Sequence, residues 1–375
     1  MKHLAPTLAF LALVAIGCQT SKTGGTDTNA TLTPAPKVEK PKPPRYPKPE
    51  HVRGIYMTAW IAGATKRRAE LIQMLHDTEL NAVVIDIRDD GDNYWETGIE
   101  LSTKAKATNL AVPKPDALMQ LLEDEGVYPI ARIACFVDSK VSKYDPSRAV
   151  QDGSGNAWVE RNGRLWLDPY NKDNWEYIGQ VVDFAVKQGF PEIQLDYVRF
   201  PGGGKKSSMN FPCKSKWPEG TTESQVIQQF AQFIKDRLPK GVVLSADIFG
   251  IVSSNTTKDQ GIGQDMAHFP KPFDLLCPMV YPSHYAMGEY GIANPAKAPY
   301  EIVKVSVGDF SSTLKGKPLR PWLQDFDLGG DYGKDEVRAQ IKAIKELGIQ
   351  EYLLWNARNV YTPEAVVDNS DLDTK

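Results

Sequence analysis

Apolar runs alternate with helical patterns along the chain from Val52 onward. The intervals between the runs repeat apolar residues at helical spacing, as Val337, Ile341 and Ile344 do. About eight strand–helix units in succession predict a closed (β/α)8 TIM barrel, an α/β fold, in which the first and last strands pair. The predicted strands lie at 52–60, 82–89, 128–138, 192–200, 242–250, 274–281, 319–327 and 352–358.

An open, doubly wound sheet is the alternative architecture for the same alternation. Sheets of that kind that bind dinucleotides carry a GxGxxG fingerprint directly after the first strand, and the segment after 52–60 lacks it. The barrel is therefore the preferred prediction, and we expect no nucleotide cofactor.

The first 17 residues have the pattern of a signal peptide. Lys2 and His3 precede an apolar run at 8–16, which is too short to span a membrane as a folded helix. The string Ala15-Ile16-Gly17-Cys18 also resembles the bacterial lipobox, which implies that Cys18 carries lipid and becomes the mature N-terminus. The alternative is an ordinary signal peptide with an incidental cysteine. We expect an exported lipoprotein, anchored in the cell envelope on the periplasmic or outer-membrane side.

Residues 18–50 predict a flexible tether between the lipid and the barrel. Positions 20–33 are rich in Ser, Thr, Gly and Asn, and positions 34–49 are rich in Pro and Lys. Neither stretch can bury enough apolar surface to fold alone. We therefore place the barrel at 51–362 and a C-terminal tail at 363–375.

Charge and cysteine content exclude two further classes. Lys and Arg total 44 against 47 Asp and Glu, so the net charge of -3 argues against a nucleic-acid-binding protein. Cys135, Cys213 and Cys277 form no CxxC pair, which argues against a zinc site. The sequence does not decide whether two of these three cysteines form a disulfide. We predict no metal, and the oligomeric state is left undetermined.

Polar residues end several predicted strands, where barrel active sites lie. Strand alternation directs Asp196 and Asp247 into the barrel, and likewise Asp86, Arg88 and Arg132. Buried charges must pair or shift their pKa. Arg132 and Arg88 are therefore expected partners of Asp196 and Asp86. A salt-bridge layer that only braces the barrel is the alternative, most of all for Asp86 and Arg132.

Four segments, 52–60, 81–90, 192–201 and 278–285, resemble the bacterial glycosyl hydrolase domain family called DUF4015. The strings Asp-Tyr-Val-Arg-Phe-Pro at 196–201 and Met-Val-Tyr-Pro-Ser-His-Tyr at 279–285 are the most specific. The resemblance covers 52–361 and implies a barrel that hydrolyses sugars. A wider similarity to amylase-like barrels implies that Asp196 is the nucleophile, Asp247 the acid in place of a Glu, and Asp325 a residue that binds sugar hydroxyls.

Glycoside hydrolysis needs one ionised and one protonated carboxyl group. If Asp196 and Asp247 hold level positions on the predicted fourth and fifth strands, their carboxyl groups lie about 5 Å apart. This separation weakly favours a mechanism that retains the anomeric configuration of the sugar. The insert at 201–222 predicts a lid or binding loop, unless it is disordered. Further residues at or near strand ends are expected to bind the glycan by stacking or hydrogen bonding: Asp86, Arg88, Arg132, Trp60, Arg199, Tyr281, His284, Trp322, Trp355 and Asn356.

Non-enzymatic glycan binding is the competing function. A lipid-anchored barrel that had lost its acid would bind a cell-wall glycan without cleaving it, and Asp at 247 favours that alternative. A calcium site at 86–92 lacks EF-hand spacing, and a deacetylase would need a His and Asp metal triad that the sequence does not show. The expected partner is therefore a polysaccharide or other glycan, with the membrane contacted through the lipid alone.

Overall fold

Eight parallel strands close into a barrel in the computed structural model, which describes residues 45–255 and 261–367. Pairing runs around the ring, and the first strand pairs with both the second and the last, with Gly54 opposite Leu353. The predicted barrel is thus confirmed. Its strands, with β3 added antiparallel to β2, are β1 (Arg53–Met57), β2 (Ala82–Asp89), β3 (Asp92–Asn93), β4 (Tyr128–Ala134), β5 (Glu192–Asp196), β6 (Val243–Phe249), β7 (Leu275–Met279), β8 (Trp322–Gln324) and β9 (Tyr352–Trp355).

Helices follow most strands, as the (β/α)8 pattern requires. After β6 the described residues form a 3-10 helix at Gly250–Asn255 instead of a long α-helix. The helix Glu223–Arg237 begins with a capping box between Thr222 and Gln225, and the helix Lys172–Gln188 ends where Gly189 adopts a left-handed conformation. The helices of the described residues are α1 (Ala59–Gly63), α2 (Thr65–His76), α3 (Glu100–Lys104), α4 (Pro115–Asp124), α5 (Val141–Tyr144), α6 (Lys172–Gln188), α7 (Glu223–Arg237), α8 (Pro299–Thr313) and α9 (Lys334–Lys345).

Several strands are shorter than predicted because the chain turns sooner. The segment 192–200 is predicted as one continuous strand, yet β5 stops at Asp196. Tyr197 has a φ of 46°, a left-handed conformation that ends regular strand geometry. The apolar residues beyond it, Val198 and Phe200, remain buried in the loop, which explains why hydrophobicity overestimates the strand.

A buried ion pair crosses the barrel interior. Arg320 Nη1 lies 2.7 Å from Glu192 Oε1, and both side chains are fully buried. Glu192 begins β5 and Arg320 lies two residues before β8, so the contact spans the interior past β6 and β7. Glu351 accepts a second bond from Arg320. This layer lies at the amino-terminal ends of the strands, where the charges are compensated and brace the fold.

Both predicted domain boundaries lie inside the folded part. Tyr46 is buried and donates a 2.5 Å hydrogen bond to the carbonyl of Met119, so the fold begins before residue 51. Ala365 and Val366 are buried beyond residue 362. The predicted signal peptide, Cys18 and most of the tether lie outside the described residues.

Cys135, Cys213 and Cys277 are free, buried thiols, so these three cysteines form no disulfide with one another. Within 45–255 and 261–367, no cluster of three or more His, Cys, Asp or Glu side chains is arranged to hold a metal ion. None of the helices in these ranges is long and apolar enough to span a bilayer.

Candidate active site

Asp196 and Asp247 stand level on neighbouring strands. Leu195 of β5 pairs with Ala246 of β6, and each aspartate is the next residue of its strand. Adjacent strands lie about 4.8 Å apart. Both side chains line a cavity of about 460 Å³ at the carboxyl ends of the strands, where Phe249 and Met279 end β6 and β7. The structure therefore brings the two predicted carboxyl groups together in one cavity.

The carboxylate of Asp196 is held from two sides. Its Oδ2 accepts hydrogen bonds from Arg132, at 2.6 Å from Nη2 and 3.1 Å from Nε. Its Oδ1 accepts one from the backbone N–H of Tyr197 at 2.6 Å. The left-handed conformation of Tyr197 is unusual for a non-glycine residue and is of the kind retained at functional sites. Asp196 is thereby held in a salt bridge with little rotational freedom.

Arg132 links Asp196 to a second carboxyl group. Its Nη1 donates to Asp86 Oδ1 at 2.6 Å, and Tyr56 donates to the other oxygen of Asp86 at 2.5 Å. Burial raises the pKa of Asp86 to about 6, against the opposing effect of Arg132. Asp86 does not line the cavity. Its position behind Arg132 makes it a positioning residue that orients the guanidinium.

Asp247 is in an environment that favours its protonated form. It is almost completely buried, and burial together with the negative charge of Asp196 raises its pKa well above the usual range. Trp322 donates a hydrogen bond from Nε1 to Oδ1 at 2.7 Å and partly opposes this rise. A protonated carboxyl group beside an ionised one is the pair that general acid catalysis with a nucleophile requires.

Aromatic side chains cover much of the cavity wall. Trp355 stacks on Tyr56 with ring centroids 4.1 Å apart, so its ring is held rigidly. Five of the residues predicted to contact sugar line the cavity: Arg132, Tyr281, His284, Trp322 and Trp355. Sequence reasoning did not identify several other lining residues: Tyr197, Phe249, Gly250, Ile251, Met279 and Tyr285.

Arg88 is not where strand alternation predicted it. A bulge interrupts the pairing of β2 with β4 between Asp86 and Arg88, so the alternation changes phase. Arg88 forms a fully buried salt bridge with Asp138 and lies over the ring of Tyr177 in α6. The prediction that Arg88 pairs with Asp86 is therefore wrong, and Arg88 does not line the cavity. The second guanidinium of the interior belongs to Arg320.

Other predicted residues lie away from the cavity. Asp325 accepts hydrogen bonds from the Thr362 backbone at 3.0 Å and its hydroxyl at 2.8 Å, and burial raises its pKa to about 6. The Asn356 side chain donates to the Asp325 carbonyl at 2.5 Å. Trp60 is 53% exposed in α1 and contacts Tyr94 edge to face. None of the three lines the cavity, so none enters the site proposed below.

The insert at 201–222 is ordered around its tryptophan. Trp217 donates to the carbonyl of Tyr170 at 2.9 Å and packs against Trp175, with centroids 5.7 Å apart. A separate surface cavity of about 830 Å³ is lined mainly by this insert. The segment is therefore a packed loop and not a disordered one.

One residue behind the site was within reach of sequence reasoning. Tyr56 follows Gly54 by two positions in β1, so alternation places its side chain inward beside Asp86. The same rule locates Asp196 and Asp247. It could not locate the partners of Arg320, because no local pattern signals a contact 128 residues away.

A sequence comparison assigns the family. The model of DUF4015, described as "Putative glycosyl hydrolase domain", matches residues 54–361. The chain belongs to this family. The resemblance inferred from the strings at 196–201 and 279–285 is thus confirmed. Comparison with curated proteins gives no match.

Solved structures extend the comparison to the fold. The glycoside hydrolase domain of PgaB (BpsB) from Bordetella bronchiseptica is 14% identical over 86% of this chain and 97% of its own, with a TM-score of 0.59. The α-galactosidase TtGalA from Thermus thermophilus is 13% identical over 85% of this chain and 61% of its own, with a TM-score of 0.52. A hypothetical protein from Ruminiclostridium thermocellum is 35% identical over 52% of this chain and 97% of its own, with a TM-score of 0.47. The DUF4015 chain thus has the barrel fold of known glycosidases.

Proposed function

We propose that this chain hydrolyses glycosidic bonds, with Asp247 as the proton donor and Asp196 as the nucleophile or ion-stabilising carboxylate. The observation that carries the proposal is the level pair of an ion-paired Asp196 and a buried Asp247 whose pKa is raised, in one aromatic-lined cavity. Family membership supports the same chemistry.

The two carboxyl groups have distinct roles in the reaction. Asp247 gives its proton to the glycosidic oxygen, so the leaving sugar departs as an alcohol. Asp196 attacks or stabilises the oxocarbenium-like carbon that remains. The carboxylate of Asp247 then takes a proton from water while the water oxygen bonds to that carbon, which releases the sugar from Asp196 and restores both groups. Level residues on neighbouring strands lie about 5 Å apart, which is in the range of carboxyl separations in retaining enzymes. We therefore favour a mechanism that retains the anomeric configuration.

The proposed substrate is a polysaccharide of the bacterial envelope or extracellular matrix. Flat aromatic surfaces such as Trp355 suit the apolar faces of sugar rings. The predicted anchor at Cys18 would keep the barrel at the cell envelope, and we propose this location with it. The α-galactosidase neighbour has been solved with stachyose, which is consistent with a glycan in a cavity of this fold.

A hydrolysis screen tests the proposal. The full-length wild-type chain is incubated with bacterial polysaccharides and aryl glycosides, and released reducing ends or phenols are measured. We expect release by the wild type and by Asp236→Asn, a matched control on the exposed face of α7. Asp196→Asn should retain less than about a tenth of wild-type turnover, a cost above about 1.4 kcal/mol. Turnover above that level would make Asp196 structural.

Glycan binding without cleavage remains the second candidate. Asp247 has a shorter side chain than the Glu of amylase-like barrels, and its near-complete burial restricts its reach further. Binding of a polysaccharide with no release of reducing ends from any substrate would support this function.

A further inference from the structure

Arg199 differs from the other buried arginines. Four arginine side chains are buried in the described residues, and three of them, Arg88, Arg132 and Arg320, form salt bridges with carboxylates. Arg199 is 8% exposed and has no carboxylate within 4.0 Å in the described part of the chain. Its one hydrogen bond within 45–255 and 261–367 goes to the carbonyl of Phe200 at 3.0 Å.

The two nearest acidic groups are engaged elsewhere. Asp196 accepts hydrogen bonds from Arg132 and from the backbone of Tyr197. Glu160 accepts from Trp166 Nε1 at 3.2 Å and from the backbone of Gly203 at 2.9 Å. Both act on Arg199 electrostatically at longer range, yet burial still lowers the pKa of the guanidinium. The positive charge is therefore only partly compensated within the chain.

Arg199 does not itself line the catalytic cavity but lies directly behind two of its aromatic residues. Its guanidinium carbon is 4.8 Å from the ring centroid of Phe249 and 5.3 Å from that of Tyr197. Both rings line the cavity that contains Asp196 and Asp247. A second guanidinium, that of Arg164, contacts Tyr197 from 5.3 Å and donates to its hydroxyl at 2.6 Å. The Tyr197 side of the cavity is therefore cationic.

We propose that Arg199 forms a subsite for an anionic group of the glycan, next to the bond that is cleaved. This inference rests on the proposed function and specifies its substrate as an acidic glycan. A buried guanidinium without a carboxylate partner is favourable when the ligand supplies the negative charge. Carboxylate, sulfate and phosphate groups all match its planar donors, so the shared requirement is an oxyanion on the sugar.

Matched polymer pairs test the inference. Polygalacturonate is compared with its methyl ester, hyaluronan with its methyl ester, and dextran sulfate with dextran. Binding to the full-length chain is measured by titration calorimetry with the wild type, Arg199→Gln, Arg199→Lys and Lys187→Gln. Lys187 is exposed near the end of α6 and controls for the loss of one positive charge.

We expect Arg199→Gln to weaken binding of one acidic polymer at least about tenfold, with less than about twofold change for its neutral counterpart. Arg199→Lys should recover part of the affinity, and Lys187→Gln should behave as the wild type. The pair that responds identifies the anionic group. Equal losses on both members of a pair, or no binding of any acidic polymer by the wild type, would overturn the inference.

Two further measurements separate this result from misfolding and from the proposed function. If Arg199→Gln fails to fold, Arg199→Met retains the side-chain volume and is compared by its unfolding temperature. Charge-selective binding without released reducing ends would contradict hydrolysis and keep the anionic subsite. Hydrolysis of neutral polymers alone would keep the hydrolase and remove the subsite.

Discussion

Trp322 donates a hydrogen bond to Asp247 across an intervening strand. Asp247 belongs to β6 and Trp322 to β8, and β7 lies between them with Cys277 paired opposite Asp247. The 2.7 Å bond therefore passes inside the barrel and orients the carboxyl group toward the cavity. It also favours the ionised form of Asp247, against burial and the charge of Asp196.

Replacing Trp322 should move the pH profile in a defined direction. The proposed acid must be protonated, so kcat/KM falls as the pH rises through the pKa of Asp247, which is raised in the folded chain. Trp322→Phe removes the donor that lowers this pKa, so the basic limb should move to higher pH. The measurement is kcat/KM against pH for both proteins. A shift to lower pH would contradict the assignment of Asp247 as the acid.

The leaving group should decide how much Asp247→Asn costs. Proton donation contributes about 10²–10⁴-fold where the leaving group is a sugar alcohol, so turnover of unactivated glycans should fall by that factor. An activated nitrophenyl glycoside needs little protonation and should lose less than about tenfold. The check is a series of aryl glycosides of rising leaving-group pKa, with Asp236→Asn as the control. Equal losses across the series would mean that Asp247 acts in another step.

Most of the fold could be predicted because strand and helix patterns are local. The eight apolar runs, the barrel and the pairing of the first strand with the last all follow from periodicity along the chain. The ends of the strands do not follow from periodicity, since Tyr197 terminates β5 through a backbone conformation that hydrophobicity does not reveal. The bulge after Asp86 is likewise not revealed by the hydrophobic pattern, and it changed the orientation of Arg88 from the predicted one.

The candidate site was predictable only where alternation was regular. Asp196, Asp247 and Arg132 face inward as expected, because β4, β5 and β6 pair without a register shift. Asp325 ends up hydrogen bonded to Thr362, 37 residues further along, and no local pattern anticipates that contact. A polar strand end predicts a buried carboxylate, but its partners decide whether it faces the cavity.

Asp325→Asn should leave catalysis intact and alter stability. Asp325 lies outside the cavity, so kcat/KM should stay within about threefold of wild type, or about 0.6 kcal/mol. Its pKa is raised from 3.8 to about 6. The folded state therefore binds a proton more tightly than the unfolded state between those values.

That difference gives the sign of the pH dependence. As the pH rises from about 4 to about 6, the wild type should lose on the order of 1–3 kcal/mol of stability relative to Asp325→Asn. Urea unfolding of both proteins at pH 4, 5, 6 and 7 measures the difference. A large fall in kcat/KM would instead return Asp325 to the sugar-binding role that the amylase-like similarity implied.

Cys18→Ala should release the protein from membranes. Cys18 is the only cysteine just after the predicted signal sequence, so its loss would remove the one predicted lipid attachment. We expect the wild type in the detergent-extracted membrane fraction. Most of the variant protein should instead be found in the soluble fraction. Immunoblots of fractionated cells check this, with Cys213→Ala as the control. An exported variant that stays with membranes would contradict lipidation at Cys18.

Arg132→Gln should affect stability and turnover by separable routes. The substitution leaves Asp86 and Asp196 buried without their shared cation, which costs about 3–5 kcal/mol of unfolding free energy. Because Arg132 lowers the pKa of Asp86, that pKa should rise above about 6 in the variant. The loss of stability should therefore be greater at pH 7 than at pH 5, where Asp86 is protonated.

A second substitution distinguishes the two routes. Arg132→Gln with Asp86→Asn removes one of the unpaired charges, so part of the stability measured by urea unfolding should return. Turnover should stay at least about tenfold below wild type, because Asp196 still lacks the two donors that fix its Oδ2. Recovery of turnover together with stability would show that Arg132 only braces the barrel. Stability without turnover would show that the ion pair orients Asp196 for reaction.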